Sequence, residues 1–211
     1  IGGIYNDIDD DFIKGTRAFV AQMRPRLKMY RSLVTDNIIL RKRLIDIGPI
    51  SKEMCRKYGA TGPVIRGSGI PYDVRRVEPY SAYAEFDFVV PTLKEGDSMA
   101  RYLVRMEEMA QSLRIIEQAL DKLPAGPVMA EKVPRVLKLP AGDYCYAVEA
   151  ARGRFAVRIV SDSREIPYRV KLRTPSLSNL SLFEEASQGM LLPDALALMG
   201  SLDLVIPDID R

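Results

Sequence analysis

The string with most chemical potential is RGSGIPYDVRR, Arg66 to Arg76. Closely spaced glycines let a backbone approach an anion, and Arg66, Arg75 and Arg76 could hold one. No Gly-Lys-Ser/Thr follows, so it is not a phosphate-binding P-loop. No strand–turn–helix pattern surrounds it, so it is not a dinucleotide fingerprint. The plainer reading is a packed turn in which Asp73 pairs with an arginine. Spacing alone favours that reading.

Three further groups could act. RYLVRMEEMAQSLR sets Arg101 and Arg105 four residues apart, with Glu108 two turns from Arg101 on a similar face. Such charges usually form a solvated or ion-paired helix face. KLRTPS, Lys171 to Ser176, ends a strand with two cations and a proline, an ordinary strand exit. Asp203, Asp208, Asp210 and Arg211 could form a metal or proton site, against the default of a frayed polar tail.

What is missing narrows the chemistry. The chain has 211 residues, two cysteines, no tryptophan and no histidine. A Ser-His-Asp or Cys-His centre cannot be built from it, nor a His-containing zinc site, and two cysteines cannot supply a four-thiolate one. Proton transfer must fall to carboxylates, Lys, Tyr or Arg, or to a partner.

These residues need elements to position them. Phe12, Ile13, Thr16, Phe19, Val20 and Met23 recur at helical spacing, and Leu27, Tyr30, Leu33 and Val34 continue it. Pro25 predicts either a kink or a second helix that begins there. Thr35-Asp36-Asn37 breaks the pattern and caps a short helix over 38–44, and Ser51 and Gly59 bound another. Residues 60–97, rich in Gly and Pro, read as a long irregular segment, a functional loop or a partner surface. The strongest signal is a helix over 98–123, capped by Asp97 or Ser98 and stopped by Pro124 and Gly126. Its stripe runs through Met99, Tyr102, Leu103, Met106, Met109, Leu113, Ile116, Leu120 and Leu123. A four-proline linker spans 124–141. The period then becomes two at Tyr144, Tyr146 and Val148, at Phe155, Val157 and Ile159, and at Tyr168, Val170 and Leu172. That predicts an antiparallel three-stranded meander. Helices return over 180–188 and 193–199, and the tail SLDLVIPDIDR reads as extended or turned.

The predicted class is α+β, a helical bundle with a small antiparallel β-meander. It divides into 1–123, 124–178 and 179–211 as one compact piece. Apolar content of 47% and charged content of 28% suit a soluble globular protein. The net charge of +3 implies no long-range field for nucleic acid. Cys55 and Cys145 form no close pair, which suits a reducing compartment. Met190–Leu202, interrupted by Pro193 and Asp194, is too short to span a membrane. A start on Ile-Gly-Gly without Met predicts a processed chain or a piece of something longer.

Five ordered strings carry a resemblance: RGSGIPYDVRR, EGDSMARYLVRMEEMAQSLRIIEQAL, GDYCYAVEAARGRFAVRIVSD, PYRVKLRTPSLSNL and MGSLDLVIPDIDR. Together they resemble the C-terminal half of the 49 kDa subunit family of complex I, the NADH:quinone oxidoreductase. That family is itself similar to nickel–iron hydrogenase large subunits, so the resemblance implies a hydrogenase large-subunit-like fold. The family's chains are about twice this length, and Ile1-Gly2-Gly3 matches the end of its Arg-x-Gly-Gly segment. The preceding half would carry the histidine and tyrosine that meet the quinone head group. On that reading the absence of histidine here has a plain cause.

The tail separates the two branches. Hydrogenase relatives carry Ser-Phe-Asp-Pro-Cys-x-x-Cys, whose thiolates bind nickel and iron. Aligned on Ser201-Leu202-Asp203-Leu204, those cysteines become Val205 and Asp208, and Val205 has no donor atom. The resemblance therefore implies a quinone cavity wall lined by Asp203, Val205, Asp208 and Arg211. Arg66, Asp73 and Arg76 would support that wall or an interface with a neighbouring subunit. No catalytic residue and no bound metal or cofactor is expected in the chain itself. Quinone is the expected substrate. The expected partners are the small subunit that holds an iron–sulfur cluster and other peripheral-arm subunits at the cytoplasmic face of a membrane. Leu204, Pro207, Asp208, Leu177 and Tyr72 depart from the branch pattern, so a donor other than NADH, such as a reduced deazaflavin, fits as well. The alternatives are a non-catalytic assembly fragment and a large subunit of an energy-converting hydrogenase-like complex.

Overall fold

A computed structural model describes residues 2–210. Helix α1 (Asp10–Tyr30) starts where the Asp9 carboxylate accepts from the Phe12 N–H, and Asp10 and Asp11 sit in its first turn. It runs unbroken through Pro25 and then widens into a π-helical turn over Arg31–Thr35. The proline does not divide the helix. Asn37 caps α2 (Ile38–Leu44), and Ser51 caps α3 (Lys52–Tyr58), which Gly59 ends in the left-handed region.

The Gly/Pro-rich segment departs from expectation. It contains α4 (Pro63–Gly67), α5 (Val74–Val77) and a 3₁₀ turn at Tyr83–Glu85. Residues 61–68 are all buried, so this stretch is interior, whereas 75–95 stays exposed or half-buried apart from Phe88 and is largely irregular, as expected. Two glycines explain the packing. A Cβ on Gly62 would lie 2.2 Å from the Arg152 carbonyl oxygen, and one on Gly67 would lie 3.1 Å from Cγ of Arg101. Glycine here admits other backbone and a neighbouring helix, not an anion.

Helix α6 (Ser98–Asp121) is capped by Asp97, which accepts from the Ala100 N–H and also from the Asp46 N–H. Helix α1 lies antiparallel along it. Arg17, Arg24 and Arg31, each seven residues apart, meet Asp121, Glu117 and Glu107. These pairs are half-exposed, so they fix register more than they stabilise.

The meander forms as expected: β1 (Gly142–Ala150), β2 (Gly153–Ser161) and β3 (Arg169–Arg173), antiparallel in that order. Ala147 pairs with Ala156 and Tyr146 with Val157. The face that packs inward, against Val74, is the small one, Ala147 and Ala156. The larger side chains point outward in this chain, and Tyr146 is 62% exposed.

The C-terminal region holds more helix than its periodicity suggests. It comprises α7 (Pro175–Leu180), α8 (Phe183–Ala186), α9 (Leu192–Leu202) and α10 (Ile206–Ile209). The expected 180–188 helix is therefore split, Lys171–Ser176 runs directly into a helix, and the tail is partly helical. The main core joins Ile50, Cys55, Val64, Ile65, Leu182, Leu198 and Leu202. It clamps α3, α4 and the C-terminal helices together. No described helix is long and apolar enough to cross a membrane.

Candidate functional site

The polar interior is a chain of charged groups along the inward face of α6. At one end stands Arg66, buried on α4. Its Nε donates to Glu108 of α6 at 2.5 Å, and its Nη1 donates to Glu149 of β1 at 2.9 Å and to the Tyr72 carbonyl at 3.0 Å. Asp73 lies 3.8 Å away and is gripped by Arg75 along two bonds, of 3.0 and 2.7 Å. Glu149 closes the ring by accepting from the Val74 N–H.

The environment acts differently on each carboxyl. Burial raises Glu108 above the usual carboxylate range, against the pull of Arg66. Burial also works against the Asp73 charge, but the Arg75 hydrogen bonds and the charges of Arg75 and Arg66 outweigh it and hold Asp73 low. Arg75 is held above its ordinary value in return: burial opposes its charge, and Asp73 more than compensates.

Two turns from Glu108, toward the N-terminus of α6, is Arg101, with no exposed surface. Its partners are neutral. Nη1 donates to the Gly96 carbonyl at 2.6 Å, Nη2 to the Gly48 carbonyl and Ser98 Oγ, and Nε to Ser201 Oγ at 2.8 Å. Burial, and then the charge of Arg105, bring its pKa down to about 10. The helix therefore turns Arg101 and Glu108 inward. Of the two expectations, solvated or ion-paired, Glu108 meets the second through Arg66, while Arg101 meets neither and is interior because α9 and the backbone around Gly48 and Gly96 supply neutral partners.

The other end lies at Asp203, the residue that ends α9 with φ of +54°. A carboxylate at a helix C-terminus opposes the helix dipole, and the left-handed backbone is costly for a side-chain-bearing residue. Both are offset by Arg152 in the β1–β2 turn. Its Nε and Nη2 reach the two carboxylate oxygens at 3.0 and 3.1 Å. Arg105 Nε stands 3.8 Å from the same carboxylate. The hairpin is held to the core from its other side: Thr61 Oγ1 accepts from the Arg154 N–H, and the Thr61 N–H donates to Asn179.

The structure treats the sequence candidates unequally. Arg66 and Asp73 meet, as the plainer reading of the Gly-rich string requires. Arg76 does not join them. It is exposed, lies over the Phe88 ring and donates to the Phe88 carbonyl. Arg75 is the arginine that joins the cluster. In the tail, Asp203 enters the charged interior yet stays 39% exposed, not buried. Val205 and Asp208 are half-buried and tied by backbone: the Val205 N–H donates to Ser176 Oγ, and the Asp208 carbonyl accepts from Thr174 Oγ1. Arg211 lies outside the described residues. None of the three described tail positions lines the concavity of about 330 Å³ that opens beside Cys55, Tyr72, Arg154 and Arg173. Glu149, Arg152 and Ser201 were not singled out from sequence. Each is an isolated polar residue in a strand, turn or helix, and only the chain's path brings it to α6.

Arginines and carboxylates, arranged around one helix, make an ion-lined scaffold that holds the surrounding elements in place. The comparisons with known proteins say which scaffold. The chain matches the family described as respiratory-chain NADH dehydrogenase, 49 kDa subunit, over residues 1–138 and 131–211, and it belongs to that family. It is 75% identical over 210 residues to an NADH-quinone oxidoreductase subunit of Opitutus terrae, covering 53% of that protein. It is 68% identical to the like-named subunit of Desulfotalea psychrophila, covering 56%, and 49% identical to that of Syntrophobacter fumaroxidans, also covering 56%. In each case all of this chain is covered. The chain thus spans about half the length of the curated relatives it matches.

Proposed function

We propose that this chain is part of the quinone-reducing subunit of a complex I-like oxidoreductase and forms one wall of the quinone cavity. The observation that carries the reading is the 75% identity, sustained over 210 residues, to a protein named as an NADH-quinone oxidoreductase subunit. In this role Asp203, Val205, Asp208 and Arg211 line the cavity. Arg152 orients the Asp203 carboxylate at the wall. Val205 supplies an apolar surface at a position where a hydrogenase-type relative needs a thiolate, which argues against a nickel centre and for a cavity. The fold is then hydrogenase large-subunit-like with its metal position converted to lining.

Electrons reach the quinone from an iron–sulfur cluster held by a neighbouring small subunit, and the donor to the whole assembly is NADH or a reduced deazaflavin. Quinone reduction is coupled to ion translocation in a membrane arm, with this chain peripheral on the cytoplasmic face. The chain's own work is positional. Arg66, Asp73 and Arg75 lock α4 and α5 to α6 and so hold the wall, while exposed Arg76 is available to a neighbouring subunit.

The test is Val205→Trp in the assembled complex. A bulky ring at the wall is expected to change the KM for quinone or the affinity of a quinone-site inhibitor by about tenfold or more, as displacements near a reacting molecule do. Unchanged kinetics in a fully assembled variant would remove Val205 from the cavity.

A further inference from the structure

A guanidinium presents its Nε–H and Nη2–H along one edge, a fork that matches the two oxygens of a carboxylate. This chain uses that edge repeatedly. Arg75 grips Asp73 with it, Arg158 grips Asp143, and Arg152 grips Asp203. Arg105 breaks the pattern. Its Nη1 donates to the Arg101 carbonyl at 3.1 Å, while Nε and Nη2, the fork edge, are buried with no hydrogen-bond partner. Among the described residues they are the only buried side-chain polar atoms in that condition.

Neither nearby carboxylate hydrogen-bonds the fork. Asp203 lies 3.8 Å from Arg105 Nε, beyond hydrogen-bond reach, and is drawn toward Arg152, whose Nη2 donates to its Oδ1 and whose Nε stands 3.0 Å from its Oδ2. Glu108 is engaged by Arg66 at 2.5 Å. The surroundings do not settle the charge either: Arg105 meets the charges of Arg152 and Arg66 as well as those of Asp203 and Glu108. Leaving a charged donor buried without an acceptor is costly, and an arriving anion would recover that cost. The fork lies just beneath the surface, with the Arg105 side chain 23% exposed and those of Arg152 and Asp203 35% and 39%. A small group can therefore reach it.

We propose that the Arg105 fork edge, flanked by Arg152 and Asp203, is a binding site for a carboxylate. That carboxylate is either a free small acid or an acidic side chain of a neighbouring polypeptide. The site shares Asp203 with the proposed cavity wall but does not rest on quinone binding, and its test can succeed or fail whatever the substrate is.

The experiment follows the ¹⁵Nε–¹H resonance of Arg105 in the 211-residue chain while acetate is added, with chloride at equal ionic strength as the control. Arg105→Lys, or Arg105→Gln if the lysine variant does not fold, assigns the resonance by its disappearance. The expected result is a saturable shift and slowed hydrogen exchange with acetate and not with chloride. A resonance that ignores acetate, or that responds equally to chloride, would show that water alone satisfies the fork and would overturn the proposal. The same resonance, measured by solid-state NMR in the assembled complex, separates the sources. A shift already present and indifferent to acetate marks a protein-borne carboxylate, and a shift that appears only with acetate marks a free acid.

Discussion

The two ends of the charged interior use the same residue types to opposite effect. Around Arg66 the donors and acceptors close on one another: Glu108, Glu149, the Tyr72 carbonyl and Asp73 lie within 4 Å of a guanidinium that is 2% exposed. Around Asp203 the ring stays open. Arg152 takes both carboxylate oxygens, and Arg105 is left with a buried fork. A closed network specifies packing, because any slip strands a charge in low dielectric. An open one stores an unmet electrostatic demand at the surface, and such sites are where binding occurs. The first end holds the structure, and the second is the one we propose as the binding side.

The contrast can be broken most forcefully at Arg66. Arg66→Met leaves three carboxylates without their common cation, so we expect a loss of about 3–5 kcal/mol, as when one partner of a buried pair is removed. Chemical denaturation of the full chain measures it. A midpoint close to that of the parent chain would mean that the cluster is not a structural lock.

A smaller effect concerns pH. Folded Asp73 holds its proton less tightly than the unfolded chain, whose reference value is 3.8. Its contribution is complete above that value and is lost as pH falls through the lower folded one. Glu108 is opposite in sign. Its folded value is raised above 4.5, so the contribution is complete below 4.5 and is lost as pH rises through the folded value. Asp73→Asn should flatten the acid limb of a stability–pH curve, and Glu108→Gln should flatten the fall above it. If both variants flatten the same limb, the assignment of environments is wrong.

The smallest effect belongs to the surface. Arg158 and Asp143 pair across β2 and β1, with both side chains about half exposed. Asp143→Asn should leave the thermal midpoint within error, since exposed pairs contribute little. A clear fall would show that the outer face of the sheet is covered in solution.

Much of the frame was legible in sequence. The α6 helix announces itself by period and by Asp97, the meander by alternation, the end of α3 by Gly59 and the start of α9 by Pro193. Two things were not. Helices of four or five residues, such as α4 and α5, are too short to show a period, so residues 60–97 read as loop throughout although 61–68 are buried in the interior. The inward charges were also hidden. Arg101, Arg105 and Glu108 have the spacing of a solvated face, and what reverses them is the polar surroundings contributed by Gly48, Gly96, Ser201 and Arg66 from elsewhere in the chain. Asp73 was found with the right chemistry but with Arg76 in place of Arg75. Adjacent residues on a one-turn helix diverge by about 100°, which string-reading cannot resolve.

The most direct test sets one end against the other within the assembled complex. NADH:quinone turnover per assembled complex and the amount assembled are measured separately for Asp203→Asn and Asp73→Asn. The expected result is that Asp203→Asn assembles normally and turns over at least about tenfold more slowly, whereas Asp73→Asn lowers the amount assembled and leaves turnover per complex near normal. Normal turnover per complex in Asp203→Asn would contradict the assignment of the open end to the quinone cavity.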